Sequence, residues 1–194
     1  MSRAARVERT TRETRVDLRL ELDGSGIAEV ATGVGFFDHL LTSLSHHGLF
    51  DLLVTTEGDL EIDDHHTVED TALVLGQAFA EALGDRAGIV RFADATVPMD
   101  EALATAVVDV GGRPYTVLDL SFSSDRIGAL STEMIPHALE ALARTAGFTL
   151  HLTSRGRNDH HVAEAAFKAL ARALRNAVAD DSRREGIPST KGTM

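Results

Sequence analysis

The 194-residue chain has no cysteine, no tryptophan, one tyrosine and four prolines. Without cysteine there is neither a disulfide framework nor a thiolate metal site. Histidine and carboxylate are the ligands left, a donor set that suits Mn, Fe, Co, Ni or Zn better than a soft ion. Aromatic residues make up 5% of the chain, so a core must be built from Ala, Leu, Val and a few Phe. Lysine is nearly missing: Lys168 and Lys191 stand alone, and the other basic residues are arginine. At a net charge of -11 the chain lacks the basic surface that duplex nucleic acid requires. No apolar run approaches the roughly 18 residues of a membrane span, and the N-terminus has no apolar signal core. A cytoplasmic protein with no nucleic-acid or membrane partner is expected.

What the chain does have is repetition. With 43% hydrophobic and 25% charged residues it reads as an ordinary globular protein, one domain or two small halves sharing a core. His-His-x-x-Glu occurs twice, as Asp64-His65-His66-Thr67-Val68-Glu69-Asp70 and as Asp159-His160-His161-Val162-Ala163-Glu164. Each copy opens an Ala/Leu-rich segment predicted as a helix, to about Leu83 and about Val178. At about 3.6 residues per turn the first His and the Glu share a face, and the second His points roughly 100° away. One motif can thus give a chelating pair to one metal and a single ligand to another. A polar helix start explains one His-His pair equally well. It does not explain two with Glu at the same offset.

The surrounding chain repeats in the same order. Arg3, Arg6, Arg9 and Arg12 form a polar lead-in to an alternating strand, Val16, Leu18, Leu20 and Leu22. Asp23-Gly24-Ser25-Gly26 is predicted as a turn, with Ile27 to Val34 returning as the second strand of a hairpin. A helix with Phe37, Leu40, Leu41 and Leu44 on its apolar side follows, ended by Gly48; then come a strand from Leu49 to Thr56 and the first motif helix. The second half gives strands at 89–97, 102–110 and 115–122, a helix over 132–146 ended by Gly147, a strand over 148–154 and the second motif helix. His39 and His137, 98 residues apart, hold matching places in the first helix of each half, as His65 and His160 do in the second, 95 apart. This is an internal duplication, with pseudo-repeats of about 1–88 and 89–194 in one domain. The expected fold is α+β, each half a mixed or antiparallel sheet with helices packed on one face.

The paired positions bring together His39, His65, His66, His137, His160 and His161 with Glu69 and Glu164. Eight ligands make two sets of four, leaving open positions on each metal for substrate or water. His46 and His47 lie at a helix end, where a cation suits the helix dipole. His151, between leucines in a strand, reads as a core or edge histidine.

These residues amount to a family pattern. Over essentially its whole length the chain resembles imidazoleglycerol-phosphate dehydratase, the lyase of histidine biosynthesis. The resemblance rests on Phe37-Asp38-His39-Leu40-Leu41, His47-Gly48, both His-His motifs and Gly112-Arg113-Pro114-Tyr115. The run from Glu164 to Arg175 and the tail Pro188-Ser189-Thr190-Lys191-Gly192 match as well. The resemblance implies two Mn2+ ions, one held by His65, Glu69, His137 and His161, the other by His39, His66, His160 and Glu164. The duplication exchanges these two sets. It also implies a homo-oligomer of 24 subunits with sites between neighbouring chains. The phosphorylated imidazole substrate would meet Arg91, Arg113, Ser189, Thr190 and Lys191 at its phosphate, and Glu13, His39, His47, His65, Glu69, His160 and Glu164 at its imidazole and hydroxyl end. Glu13, His47 and Glu164 are the acid/base candidates, Glu13 first among them. No activity of the phosphatase domain fused to some bacterial relatives is expected.

Dehydration must remove a proton from a carbon with no adjacent carbonyl. An imidazole held as its anion can expel the hydroxyl on the adjoining carbon, and the conjugated diazafulvene that results makes the next C–H acidic. Loss of that proton gives an enol, which collapses to imidazole-acetol phosphate. Two other classes remain open on the residues alone. Paired metals beside phosphate ligands also suit a dinuclear phosphoesterase, and metal ions can merely bridge subunits in an assembly module.

Overall fold

A computed structural model describes residues 3–194. The lead-in is itself a strand: β1 (Ala4–Thr10) pairs antiparallel with β2 (Thr14–Glu21), Val7 opposite Leu18. Its exposed arginines lie along a sheet edge, where charge discourages pairing with another chain. In β2 the expected alternation holds, with Val16, Leu18 and Leu20 buried and Arg15 and Arg19 exposed. The predicted hairpin does not form. Instead β3 (Ala28–Ala31) runs parallel to β4 (Asp51–Gly58), with Val30 opposite Val54, and β4 separates it from β2. The cause is local. Asp51 Oδ1 accepts from the backbone N–H of Ser25 at 2.7 Å, Gly26 at 3.0 Å and Ile27 at 2.9 Å, so residues 23–27 wrap around the start of β4 and emerge on its far edge. The predicted turn is a crossover.

Between β3 and β4 runs α1 (Gly35–Gly48), capped by Leu49 in the left-handed region rather than by the glycine itself. After β4 comes α2 (His65–Leu83). The second half repeats this with β5 (Phe92–Met99), β6 (Ala102–Asp109), β7 (Tyr115–Leu120), α3 (Met134–Ala146), β10 (Thr149–Arg155) and α4 (Asp159–Ala177). A small addition, β8 (Arg126–Ile127) paired with β9 (Leu130–Ser131), is inserted before α3. The sheet orders are β1-β2-β4-β3 and β5-β6-β10-β7, the last strand of each parallel to its neighbour and the others antiparallel. The duplication therefore extends to topology and strand direction.

Each sheet carries its helices on one face and leaves the other exposed. The helix layers face one another, α2 against α3 and α1 against α4, so both main interhelical pairings join one half to the other. Phe50, Phe79 and Phe148 meet edge to face across this core, with centroids 5.3 and 5.7 Å apart. Gly76 lets α2 lie close against α3. A methyl there would sit 2.4 Å from the Leu142 carbonyl oxygen and 2.1 Å from Thr145 Oγ1. Since a backbone atom cannot yield as a side chain can, Gly76→Ala should cost about 1–3 kcal/mol by overpacking. Urea unfolding of the metal-free protein would measure it, and a loss below about 0.5 kcal/mol would mean the helices slide apart freely.

Candidate metal centre and active site

The cross-half pairing of helices brings the recurring histidines together. His39 on α1 meets the start of α4, where His39 Nε2 lies 3.0 Å and His160 Nε2 3.1 Å from Glu164 Oε2. On the other side α2 meets α3: Glu69 is 3.6 Å from His65 Nε2 and 3.4 Å from His137 Nε2. In each triad the donor atoms all lie within 4.8 Å of one another. Each triad takes its motif's first His and Glu from one helix, the i, i+4 pair read from the sequence, and its third member from the other half of the molecule.

His66 and His161 belong to neither triad in this chain. Each turns towards the hairpin of its own half, and a carboxylate takes its Nδ1. For His66 the partner is Asp59, at 3.1 and 3.2 Å, with Glu13 Oε2 3.8 Å from Nε2. For His161 it is Glu101, at 2.8 Å, with Asp100 Oδ2 3.8 Å from Nε2. Glu13 stands on the β1–β2 turn and Asp100 and Glu101 on the β5–β6 turn, so equivalent turns face equivalent histidines.

The electrostatics differ between groups. Burial pushes the Glu164 carboxyl up, but hydrogen bonds from Lys168 and His39 and their charges outweigh it and hold it at about 2. Glu164 is thus an anion at any working pH. Lys168 Nζ, 2.7 Å from Glu164 Oε1, had no role assigned from sequence, although its i+4 spacing is a usable signal. Burial, then Lys168 and His46, lower His47, favouring its neutral ring. The hydrogen bond to Asp59 raises His66. The hydrogen bond to His161, aided by backbone donors, holds Glu101 at about 2. Glu101 sits on a turn 60 residues from His161, and Asp59 on the turn seven residues before His66, outside the motif helix; no spacing rule points to either.

The phosphate candidates lie elsewhere on the chain. Arg91, with φ 79°, is bidentate to Asp109 at 2.7 and 3.1 Å, and its Nη1 donates to the Pro188 carbonyl at 2.6 Å. It therefore ties down the tail that carries Ser189, Thr190 and Lys191. Ser189 Oγ accepts from the Lys191 backbone N–H at 3.2 Å, and the Lys191 side chain is exposed. Arg113 is exposed on the loop before β7, beside an open cavity of about 470 Å³ lined by Pro114, Tyr115, His137, Glu140 and Arg144. His151 lies exposed on the outward face of an interior strand, between Val107 of β6 and Val117 of β7, and is neither a core nor an edge histidine.

The profile of the imidazoleglycerol-phosphate dehydratase family matches residues 32–174. The chain belongs to this family. It is 56% identical over its full length to the Acidiphilium cryptum dehydratase, also covered in full. A Thermobifida fusca relative of the same name is likewise 56% identical, with both chains fully covered. The crystal structure of the Staphylococcus aureus dehydratase superposes with a TM-score of 0.83 at 35% identity, covering 92% of this chain and 99% of that one. The two-sheet, duplicated α+β architecture is thus the family fold. No helix among the described residues is long and apolar enough to cross a membrane.

Proposed function

We propose that the chain dehydrates imidazoleglycerol phosphate to imidazole-acetol phosphate in histidine biosynthesis, using two divalent metal ions. The observation that carries this reading is the pair of His-Glu-His triads related by the duplication, in a family named for the reaction. The residues fit a metal. Each triad joins two imidazoles and one carboxylate, a set suited to a divalent ion of borderline to hard character. His137 Nε2 is buried without a hydrogen-bond partner, a cost of about 1–3 kcal/mol that a metal bond would relieve. Manganese is the ion the family resemblance indicates.

His65, Glu69 and His137 would hold one ion, with His161 supplied by a second copy of the chain. His39, His160 and Glu164 would hold the other, with His66 supplied in the same way. That His66 and His161 turn away from this chain's own triads supports a homo-oligomer with shared sites, as does the exposed apolar strip of Phe92, Val107, Tyr115 and Val117 on the second sheet. An assembly of 24 subunits accords with both. Bound in the triads, the ions would supply Lewis acidity that favours the anionic form of the substrate imidazole.

The chain's own residues would do the rest. Lys191, Arg113 and Ser189 would bind phosphate, the arginine through its planar fork. Arg91, already shared between Asp109 and the tail, would act chiefly by holding Ser189 and Lys191 in place. Glu13, with neutral His47 as second candidate, would take the proton from the carbon beyond the one that loses hydroxyl. Lys168 would keep Glu164 ionised. Product analysis tests the reading: a ketone with phosphate retained supports it, and released inorganic phosphate indicates a phosphoesterase instead.

A further inference from the structure

Glu101 stands on the two-residue turn Asp100–Glu101 that joins β5 to β6, with Asp100 at φ 48°. Its two oxygens have separate duties. Oε1 accepts from the backbone N–H of Arg157 at 3.1 Å and of Asn158 at 2.8 Å. Oε2 lies 2.8 Å from His161 Nδ1. The approach is close because Gly156 has no side chain: a methyl there would sit 2.7 Å from Ala102 Cβ. Asn158 in turn caps α4, its side chain accepting from the His160 N–H at 3.0 Å. One carboxylate thus locks the loop that leads into the second motif to the ring of the motif's second histidine.

An ionised carboxylate can only accept. Opposite Oε2, His161 must carry a proton on Nδ1, which in the neutral ring leaves the Nε2 lone pair free. We propose that Glu101 is a positioning residue that fixes the tautomer and ring orientation of His161, making Nε2 a metal donor for a neighbouring copy. A loop anchor would need Oε1 alone; the second oxygen, aimed at an imidazole, is what that role leaves over. Asp59 serves His66 similarly, but both its oxygens face one nitrogen and neither holds a loop. The inference rests on the two-metal reading above.

The two arrangements respond differently to an amide. In Glu101→Gln the two backbone N–H groups demand the amide oxygen, so the NH2 falls opposite Nδ1. That forces Nδ1 to accept and moves the proton to Nε2, where it blocks metal. In Asp59→Asn the amide oxygen can still turn to His66. Manganese titration of the intact assembly, followed by the resonance of free Mn2+, is the measurement. Wild type should bind two equivalents per chain. Glu101→Gln should weaken one of them by about 10–100-fold, with the melting temperature of the metal-free protein unchanged, and Asp59→Asn should weaken binding less. Two equivalents at wild-type affinity in Glu101→Gln would overturn the role of Glu101 and leave the two-metal reading standing. A loss of affinity that merely follows a fall in melting temperature would overturn it too. Wild type that binds no manganese would instead remove the reading beneath it.

Discussion

Glu164→Gln is expected to lower kcat by about a thousandfold and to leave one tightly held metal per chain instead of two. Glu164 is the sole anion of its triad, and both imidazole Nε2 atoms converge on its Oε2 at about the same distance. Its carboxyl, held at about 2 by Lys168 and His39 against the opposing effect of burial, needs no deprotonation to serve as a ligand. Glutamine keeps the shape and removes the charge. A Lewis-acid contribution of several kcal/mol converts to about three decades of rate at about 1.36 kcal/mol per decade. Metal counting by plasma mass spectrometry beside steady-state rates checks both halves of the expectation. Two tightly held equivalents with wild-type turnover would show that the triad is not a metal site. The substitution also strands Lys168, so it should destabilise the free chain. Separating the two effects requires unfolding the metal-free protein, where the metal term vanishes and the lost ion pair remains.

The asymmetry between what the sequence discloses and what it hides follows the range of each interaction. The i, i+4 pairs His65/Glu69 and His160/Glu164 are legible because a helix fixes their geometry within one turn. His39 and His137 are legible because the duplication places each at a matching point in the repeat. Neither signal says that α1 packs on α4 or α2 on α3, which is what completes each triad from opposite halves. The hairpin expected at residues 23–26 fails for a related reason: its glycines fit a tight turn, but Asp51, 24 or more residues away, captures three of the segment's N–H groups. Glu101 and Asp59 are harder still to find. Glu101 acts across 60 residues, and Asp59, only seven before His66, lies on a turn outside the helix whose period links the motif residues; an acidic residue on a turn reads as ordinary surface.

Glu13→Gln should leave both metals and the assembly intact while lowering turnover by about 10²–10⁴-fold, the usual contribution of one positioned acid or base. Glu13 lies outside both triads, half exposed, with its Oε2 3.8 Å from His66 Nε2. That separation is too long for a hydrogen bond, so the carboxylate does not fix His66; Asp59 does that from the other side of the ring. If the His66 Nε2 lone pair is given to a metal of a neighbouring copy, Glu13 is carried to the same metal's open face, where substrate would sit. A carboxylate delivered there has no structural duty to this chain beyond its turn, so removing its basicity should touch the chemical step and little else. The measurement is a pair: kcat against KM, and metal content on the same sample. A fall in kcat with metal and KM retained fits proton transfer. A rise in KM alone would make Glu13 a binding residue, and undiminished activity would remove it from the reaction and pass the role to His47, whose burial already favours the neutral, proton-accepting ring.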